Sequence, residues 1–589
     1  MKEFYILIFI LLTCIELHAQ KDTIKDKINV IHSEYFIFEK SGEQELQYLQ
    51  QDVVIKHKQT YLFCDSAIIL GLKVKAFGHV RIVEGDSLQI FGDTLNYDGK
   101  KLKADLIGNV ILLHHGKQLF TTKLNYDLKK RIASYTEGGL LITDNTKMKS
   151  KKAYYYAKTE QAYFKDSVNI ILENGMNVQS DTIQFDSKKN KVQFLAPTTI
   201  TQDELNIFCE DGYYDVTNKL AYLDQYPIYK NKSEKAEAKL IISDESKKIT
   251  TLIKDAQISD STSTAKGDTI IINDVDHTVN IYGHGSYKDK DRLIEGSSIK
   301  YNRISKSLVV QGSTQLLEGK QSISAKSIVY AGEDDIGYAY ENVIVTDTQS
   351  GFTIHCDTFF YNKKEKKFVP IGLRKYISTP MDKDTLYLTA DELISVEKID
   401  EKDSFQVLIA NHHVRIWSKR LQGLCDSLFY SGKDSLFSLF KEPVLWSDTT
   451  QFIGDTILLT MRDKSIDQIQ LLQNAFILTE SNTQLYNQIK GRNIFAYFLD
   501  KKIHYSDIYG NAETIYFVQE DNKDYIGMNY IKCSKMRIDF LDNEKIDLIH
   551  FYSKPEGNLL PISQGKEKRL EGFLSRSKEK PLNFLDLFN

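Results

Sequence analysis

Polar and apolar residues alternate along most of this chain, and the alternation itself recurs. In the run from Phe91 to Leu112, FGDTLNYDGKKLKADLIGNVIL, two alternating segments flank a polar turn. Strand side chains point to opposite faces in turn, so Asp93, Leu95 and Tyr97 are expected on one face and Gly92, Thr94 and Asn96 on the other. The turn DGKK at Asp98 supplies residues that tolerate left-handed backbone. The second segment returns through Ala104, Leu106, Gly108, Asn109 and Val110. The unit is predicted to be a pair of strands.

Copies of the first segment follow one another along the sequence: CDSAII at Cys64, GDTLNY at Gly92, TTKLNY at Thr121, SDTIQF at Ser180, GDTIII at Gly267, GSSIKY at Gly296, AKSIVY at Ala325, CDTFFY at Cys356 and CDSLFY at Cys425. Successive starts are about 29 residues apart as far as Cys356 and roughly 35 thereafter, the spacing of stacked repeat architectures. The expected fold is all-β, an elongated body of about 15 two-strand repeats. Pro197, Pro227 and Pro443 fall at or near the place of Asn109, where the second strand is predicted to bend or lose pairing.

Four stretches are distinguished. Residues 1–19 have an apolar core from Phe4 to Ile15 and small Ala19 at the end, the pattern of a cleavable secretory signal; an uncleaved anchor or lipidation at Cys14 are the alternatives. Residues 20–390 carry the regular repeats and residues 391–552 longer, less regular ones. Past Tyr552 the pattern fails, and residues 553–589 form a C-terminal tail, either free or docking a partner through Phe584, Leu585, Leu587 and Phe588.

Composition narrows the function. A net charge of −4 with no basic stripe gives no reason to expect nucleic acid. The five cysteines after Cys14 share one slot of the repeat, filled elsewhere by Gly or Ala, so they are read as small apolar fillers without intramolecular disulfides. No catalytic constellation, phosphate loop or Cys-x-x-Cys pair appears, and no cofactor is implied. His114 with His115, and His412 with His413, are adjacent strand residues that point apart and are unsuited to hold one metal; each pair is read as one buried and one solvated ring. The recurring Asp (Asp65, Asp93, Asp181, Asp268, Asp357, Asp391, Asp426, Asp455) suggests an acidic ladder, but Thr122, Lys151, Ser297 and Lys326 stand in the same place. Its expected position is the start of the strand, accepting turn amides.

Small-Asp-Thr-Leu-x-Tyr, a turn, then Ala-x-Leu-x-Gly-Asn-Val resembles the OstA-like family, the periplasmic lipopolysaccharide-transport proteins of the LptA type. The resemblance runs over roughly residues 30–550 and implies a β-jellyroll, or β-taco, whose two walls fold over an apolar groove for the acyl chains of lipopolysaccharide, with other components of the export machinery at inner and outer membranes as partners. The chain is longer than short family members and lacks the strand-rich C-terminal barrel of the outer-membrane member. The groove candidates are the columns Leu95, Tyr97, Leu124, Tyr126, Ile183, Phe185, Ile270, Ile272, Ile299, Tyr301, Ile328, Tyr330, Phe359, Tyr361, Leu428 and Tyr430. From the residues alone, the same columns read first as the packed core of a structural or adhesive β-solenoid without cargo; the resemblance moves a non-enzymatic lipid carrier or bridge ahead.

Overall fold

The computed structural model describes residues 27–589 except 43, 382, 401–402, 483–484, 501, 520–523 and 542–545. The expected signal segment, residues 1–19, lies outside the described residues. Apart from three short helical turns after Pro561, the regular structure consists of β-strands. Contacts divide the chain into two units, one ending at Gln225 and the other running from Tyr226 to Asn589.

In the first unit the chain folds as a continuous antiparallel meander. Thr60–Leu70, Lys73–Glu84, Leu88–Asp98, Lys103–His114 and Lys117–Asp127 each pair with the strand before and the strand after. Every pairing shifts register in mid-strand, for instance between Phe91 and Thr94 opposite Ile111 and Ile107. The shift comes from two consecutive left-handed residues, Gly78 and His79 or Gly108 and Asn109, which turn the strand through a corner. Each strand therefore serves both walls, one half on either side of the corner. Farther along, Pro197 interrupts the strand altogether, between Lys191–Phe194 and Thr198–Gln202, and Pro443 does the same in the second unit, between Leu436–Phe440 and Val444–Ser447.

The corner corrects the expected faces and the expected place of the Asp. Leu88, Ile90 and Gly92 are buried before it, and Leu95 after it, so the inward parity changes at Asp93. Asp93 is exposed in mid-strand, not at the start of a strand and not on the face of Leu95. Its partners are side chains rather than turn amides: Asn109 Nδ2 donates to Asp93 at 2.9 Å, and Asn474 Nδ2 to Asp455 at 3.0 Å. His79, His284 and His413 lie 2.8, 3.3 and 2.7 Å from Asp65, Asp268 and Asp391. This explains the pairing of Asp in one segment with Gly in the next. A Cβ on Gly108 would lie 2.9 Å from the Asp93 Cγ, and φ there is +80°, so the carboxylate folds over a position that only glycine fills without strain.

Left-handed pairs without glycine, such as Gln51 with Asp52 and Gln473 with Asn474, occupy the same corner at about 1 kcal/mol or more per residue. The exposed ladder there also corrects the reading of His412 and His413, both of which are solvated corner residues. Cys64, Cys209, Cys356, Cys425 and Cys533 are buried beside the corner, each a free thiol filling the small slot.

The second unit repeats this plan from Ile249–Ser259 to Ile546–Tyr552, with its longest strands late in the chain, Ser465–Asn482 and Lys502–Gln519. Residues 561–589 are not a free tail. They cross the outer face of the late strands as a strap: Leu570 packs with Phe476, Leu478, Ile515, Phe517 and Met528. Farther on, Phe584 meets Tyr376 and Tyr387 edge-on, and Arg415 donates to the carbonyl of Leu587 at 3.2 Å. Two buried glutamines fix its backbone. Gln488 accepts from Leu570 N at 2.9 Å and donates to Lys568 O at 3.2 Å, while Gln451 accepts from Arg576 N at 2.8 Å and donates to Leu574 O at 2.7 Å.

Candidate functional site

The apolar columns sit where alternation after the corner puts them, on the inward face, but the space they line differs between the two units. In the first unit Leu95, Leu124, Tyr126, Ile183 and Phe185 are fully buried. Tyr97 is half-buried because it stands at the end of its strand. The interior here is filled: a void of about 10 Å³ among Leu112, Tyr135, Tyr155 and Phe164 is at the lower limit of what one water occupies.

Opposite the corner, the two walls of the first unit are fastened rim to rim. His57 Nδ1 and Tyr97 OH are 2.5 Å apart, and His114 Nδ1 and Tyr155 OH are also 2.5 Å apart. Between these clasps Tyr126 donates to Glu84, which also faces Arg131 at 3.3 Å. Lys117 adds an ion pair to Glu160 at 3.2 Å. None of these partners is in neighbouring strands, so each contact crosses the interior. The clasps perturb their own groups as buried polar pairs should. Burial, with His115 nearby, lowers the His114 pKa to about 4, while burial and the Glu84 carboxylate push the Tyr126 hydroxyl up.

In the second unit the inward positions split by distance from the corner. Ile270, Ile299, Ile328, Phe359 and Leu428, close to the corner, are buried. Ile272, Tyr301, Tyr330, Tyr361 and Tyr430, nearer the rim, keep part of their surface open, as do Val279, Leu308, Leu316 and Ile323 on the same face. Over residues 270–363 the one rim-to-rim ion pair among the described residues is Glu318 with Lys363 at 3.9 Å, both half exposed. The result is an apolar trough whose floor is packed and whose upper walls are accessible.

Two profiles of known families match the chain. Residues 25–177 match one described as OstA-like protein, and residues 147–278 match one described as LptA/(LptD N-terminal domain) LPS transport protein. Through residues 25–278, the chain is similar to the OstA/LptA-type family. No curated protein matches the chain.

The same cornered strands continue past the matched residues to Tyr552. The clasps were missed in the sequence, although their signal is there. A His or Glu precedes each clasped Tyr by a nearly constant interval: His57 and Tyr97, Glu84 and Tyr126, His114 and Tyr155 are separated by 40, 42 and 41 residues. The residues 40 to 42 before Tyr301 are Ser261, Asp260 and Ser259: the serines are too short to reach across, and Asp260 accepts from the Thr262 and Ser263 amides of its own turn at 2.6 and 2.7 Å.

Proposed function

We propose that this OstA-like chain is a non-enzymatic periplasmic protein that carries or bridges lipopolysaccharide toward the outer membrane, with the acyl chains held in the trough of its second unit. The observation that carries the reading is the change along one repeated column, from clasped and filled at Tyr126 to partly exposed at Tyr301, Tyr330 and Tyr361. A column whose only task is to pack has no reason to leave its aromatic rim open to water, at about 25 cal/mol for each Å² of apolar surface. Burying an acyl chain there recovers about 0.8 kcal/mol per methylene, shared over several rungs. The match to a profile described as LPS transport protein supports the cargo and, with it, the periplasm. Partners would be the other components of the lipopolysaccharide export machinery.

The first unit favours a second role for its own part of the chain. Its interior is occupied by Tyr126, Phe164 and Phe185 and its mouth is fastened, so it is a structural arm rather than a conduit.

Photocrosslinking in cells tests both readings. A photoreactive amino acid at Tyr301 or Tyr361 is expected to give lipopolysaccharide adducts, while Tyr126, Phe185 and the turn residue Lys129 give none. Absence of adducts at Tyr301 and Tyr361, with the protein folded and exported, refutes transport through the trough; adducts at Phe185 refute the filled arm.

A further inference from the structure

The two glutamines that hold the strap in the second unit have counterparts in the first. In the second unit Gln451, Leu478, Gln488 and Ile515 stand opposite one another on adjacent strands, a single outward row across the sheet. In the first unit Gln89, Leu113, Gln118 and Ile142 form the same row in the same order, on Leu88–Asp98, Lys103–His114, Lys117–Asp127 and Gly139–Ile142. The next outward row, toward the corner, is more apolar in the first unit. Phe91, Ile111, Phe120 and Leu140 stand there in the register that Ile453, Phe476, Lys490 and Glu513 hold in the second.

The two rows differ in what covers them. Gln451 and Gln488 are 4% and 0% exposed, and each amide spends both its ends on the strap backbone. Leu478 and Ile515 pack with Leu570 of the strap. In the first unit Leu113 and Ile142 keep part of their surface open, Gln89 is half-buried and Gln118 exposed. Neither of these two side-chain amides has a hydrogen-bond partner among the described residues. With Phe91, Ile111 and Phe120 beside them, they make a contiguous, half-open apolar face, the kind of patch that marks an interaction surface.

Charge decides which occupant fits. Followed onto the neighbouring strands, the two outward rows of the first unit take in Lys56 and Arg81 on one side and Lys147 and Lys149 on the other, and no carboxylate stands in either row. Among the described residues none of these four cations is in an ion pair. The strap itself brings Lys568, Arg569 and Arg576 to its seat, so a second copy's strap is poorly matched to this face.

We propose that this face of the first unit is a docking site for an extended, apolar and acidic segment of another protein. Its apolar side chains lie on Phe91, Ile111 and Leu113, its backbone is bound at two points by Gln89 and Gln118 as the strap is by Gln451 and Gln488, and its carboxylates meet Arg81, Lys147 and Lys149. The filled arm thereby has a task of its own, independent of the trough.

The experiment uses the full exported chain with a photoreactive residue in place of Ile111 and two synthetic peptides: residues 566–580 of this chain, and the same peptide carrying K568E, R569E and R576E. The acidic peptide is expected to label position 111, and the parent peptide about tenfold less. Gln89→Leu together with Gln118→Leu, neither of them wholly buried, is expected to lower labelling by the acidic peptide about tenfold while the thermal midpoint is unchanged. Labelling by neither peptide overturns the site. Labelling indifferent to the double substitution overturns the glutamine seat, and preference for the parent peptide overturns the acidic occupant. Phosphatidylglycerol vesicles are expected to give no adduct at position 111; lipid labelling as strong as the peptide's makes the face a membrane contact and overturns the polypeptide occupant. Lipopolysaccharide adducts at Tyr301 report on transport separately, so either reading can fall without the other.

Discussion

Replacing Gln488 by Leu should release the C-terminal strap without unfolding the wall beneath it. The side chain is wholly buried, and its amide forms a two-point seat for the strap, accepting from Leu570 N and donating to Lys568 O. Leu has a similar volume and no polar atom, so packing is kept while the Leu570 N–H loses its acceptor; the Lys568 carbonyl keeps the Arg569 guanidinium at 3.0 Å. Leu570 is itself buried, so water does not take the place of the lost acceptor. Each orphaned group costs about 1–3 kcal/mol. Taking the middle of that range for the one orphaned N–H, the docked state loses about 2 kcal/mol, which multiplies the undocked fraction roughly 30-fold. Amide exchange reads this directly: the Leu570 amide should exchange roughly 30-fold faster, and trypsin should cut sooner at Arg569 and Arg576. Exchange at Ile494, buried in the wall, should be unchanged. An unaltered Leu570 rate in a folded variant sinks the idea that Gln488 holds the strap; equal acceleration at Ile494 shows that the wall, not the strap, has been loosened.

Three further predictions concern the corner, the clasps and the thiols. Gly108→Ala forces a methyl against the Asp93 carboxylate at a left-handed position, and should destabilise by about 2 kcal/mol or more, read as a drop in thermal midpoint; adding Asp93→Gly should restore part of it but not the backbone term. His114 is held neutral in the folded protein with a pKa lowered to about 4 by burial, whereas an unfolded chain titrates it near 6.5. As pH falls below about 6.5 the unfolded state takes up a proton that the native state does not, so stability falls until about pH 4, by about 3 kcal/mol in all. Melting His114→Gln alongside the parent at pH 7 and pH 4.5 checks this, since the variant should lose that part of the acid sensitivity. Burial pushes the thiols of Cys64, Cys209, Cys356 and Cys425 up to about 12, so they should resist a maleimide in the native protein and react on unfolding; rapid native labelling at any of them contradicts the filler role.

The repeat, its turns and the apolar identity of its inward face were legible because each depends on residues close in sequence. Asp98 with Gly99 and Asp127 with Leu128 mark turns by their own chemistry, and Leu95 with Tyr97 mark a face by alternation. Asp93 was misplaced because two left-handed residues on the neighbouring strand shift the parity, and nothing in GDTLNY itself records them. Whether Tyr126 packs or Tyr301 stays open depends on a residue some 40 positions earlier, a distance set by the stacking of strands rather than by local pattern. The strap left a mark that alternation alone obscures: Phe476, Ile477 and Leu478 are consecutive and all buried, which requires both faces of one strand to be covered. The inward face was anticipated, while the cover on the outer face came from residues nearly a hundred positions away.

The reach of those strap contacts also sets an order of assembly. Neighbouring strands of the meander pair residues within a few tens of positions, so each new strand finds its template already formed beside it. The strap bonds span far more chain: 82 residues from Gln488 to Leu570, 125 from Gln451 to Arg576 and 172 from Arg415 to Leu587. Closing a loop of 125 residues rather than 15 costs about 2 kcal/mol more in chain entropy, and its seat exists only once the late strands are in register. A chain folding progressively would therefore zip strand by strand from any early hairpin and lay the strap down last, so the state just before completion has a finished inner wall and a bare apolar back at Phe476, Leu478 and Phe517.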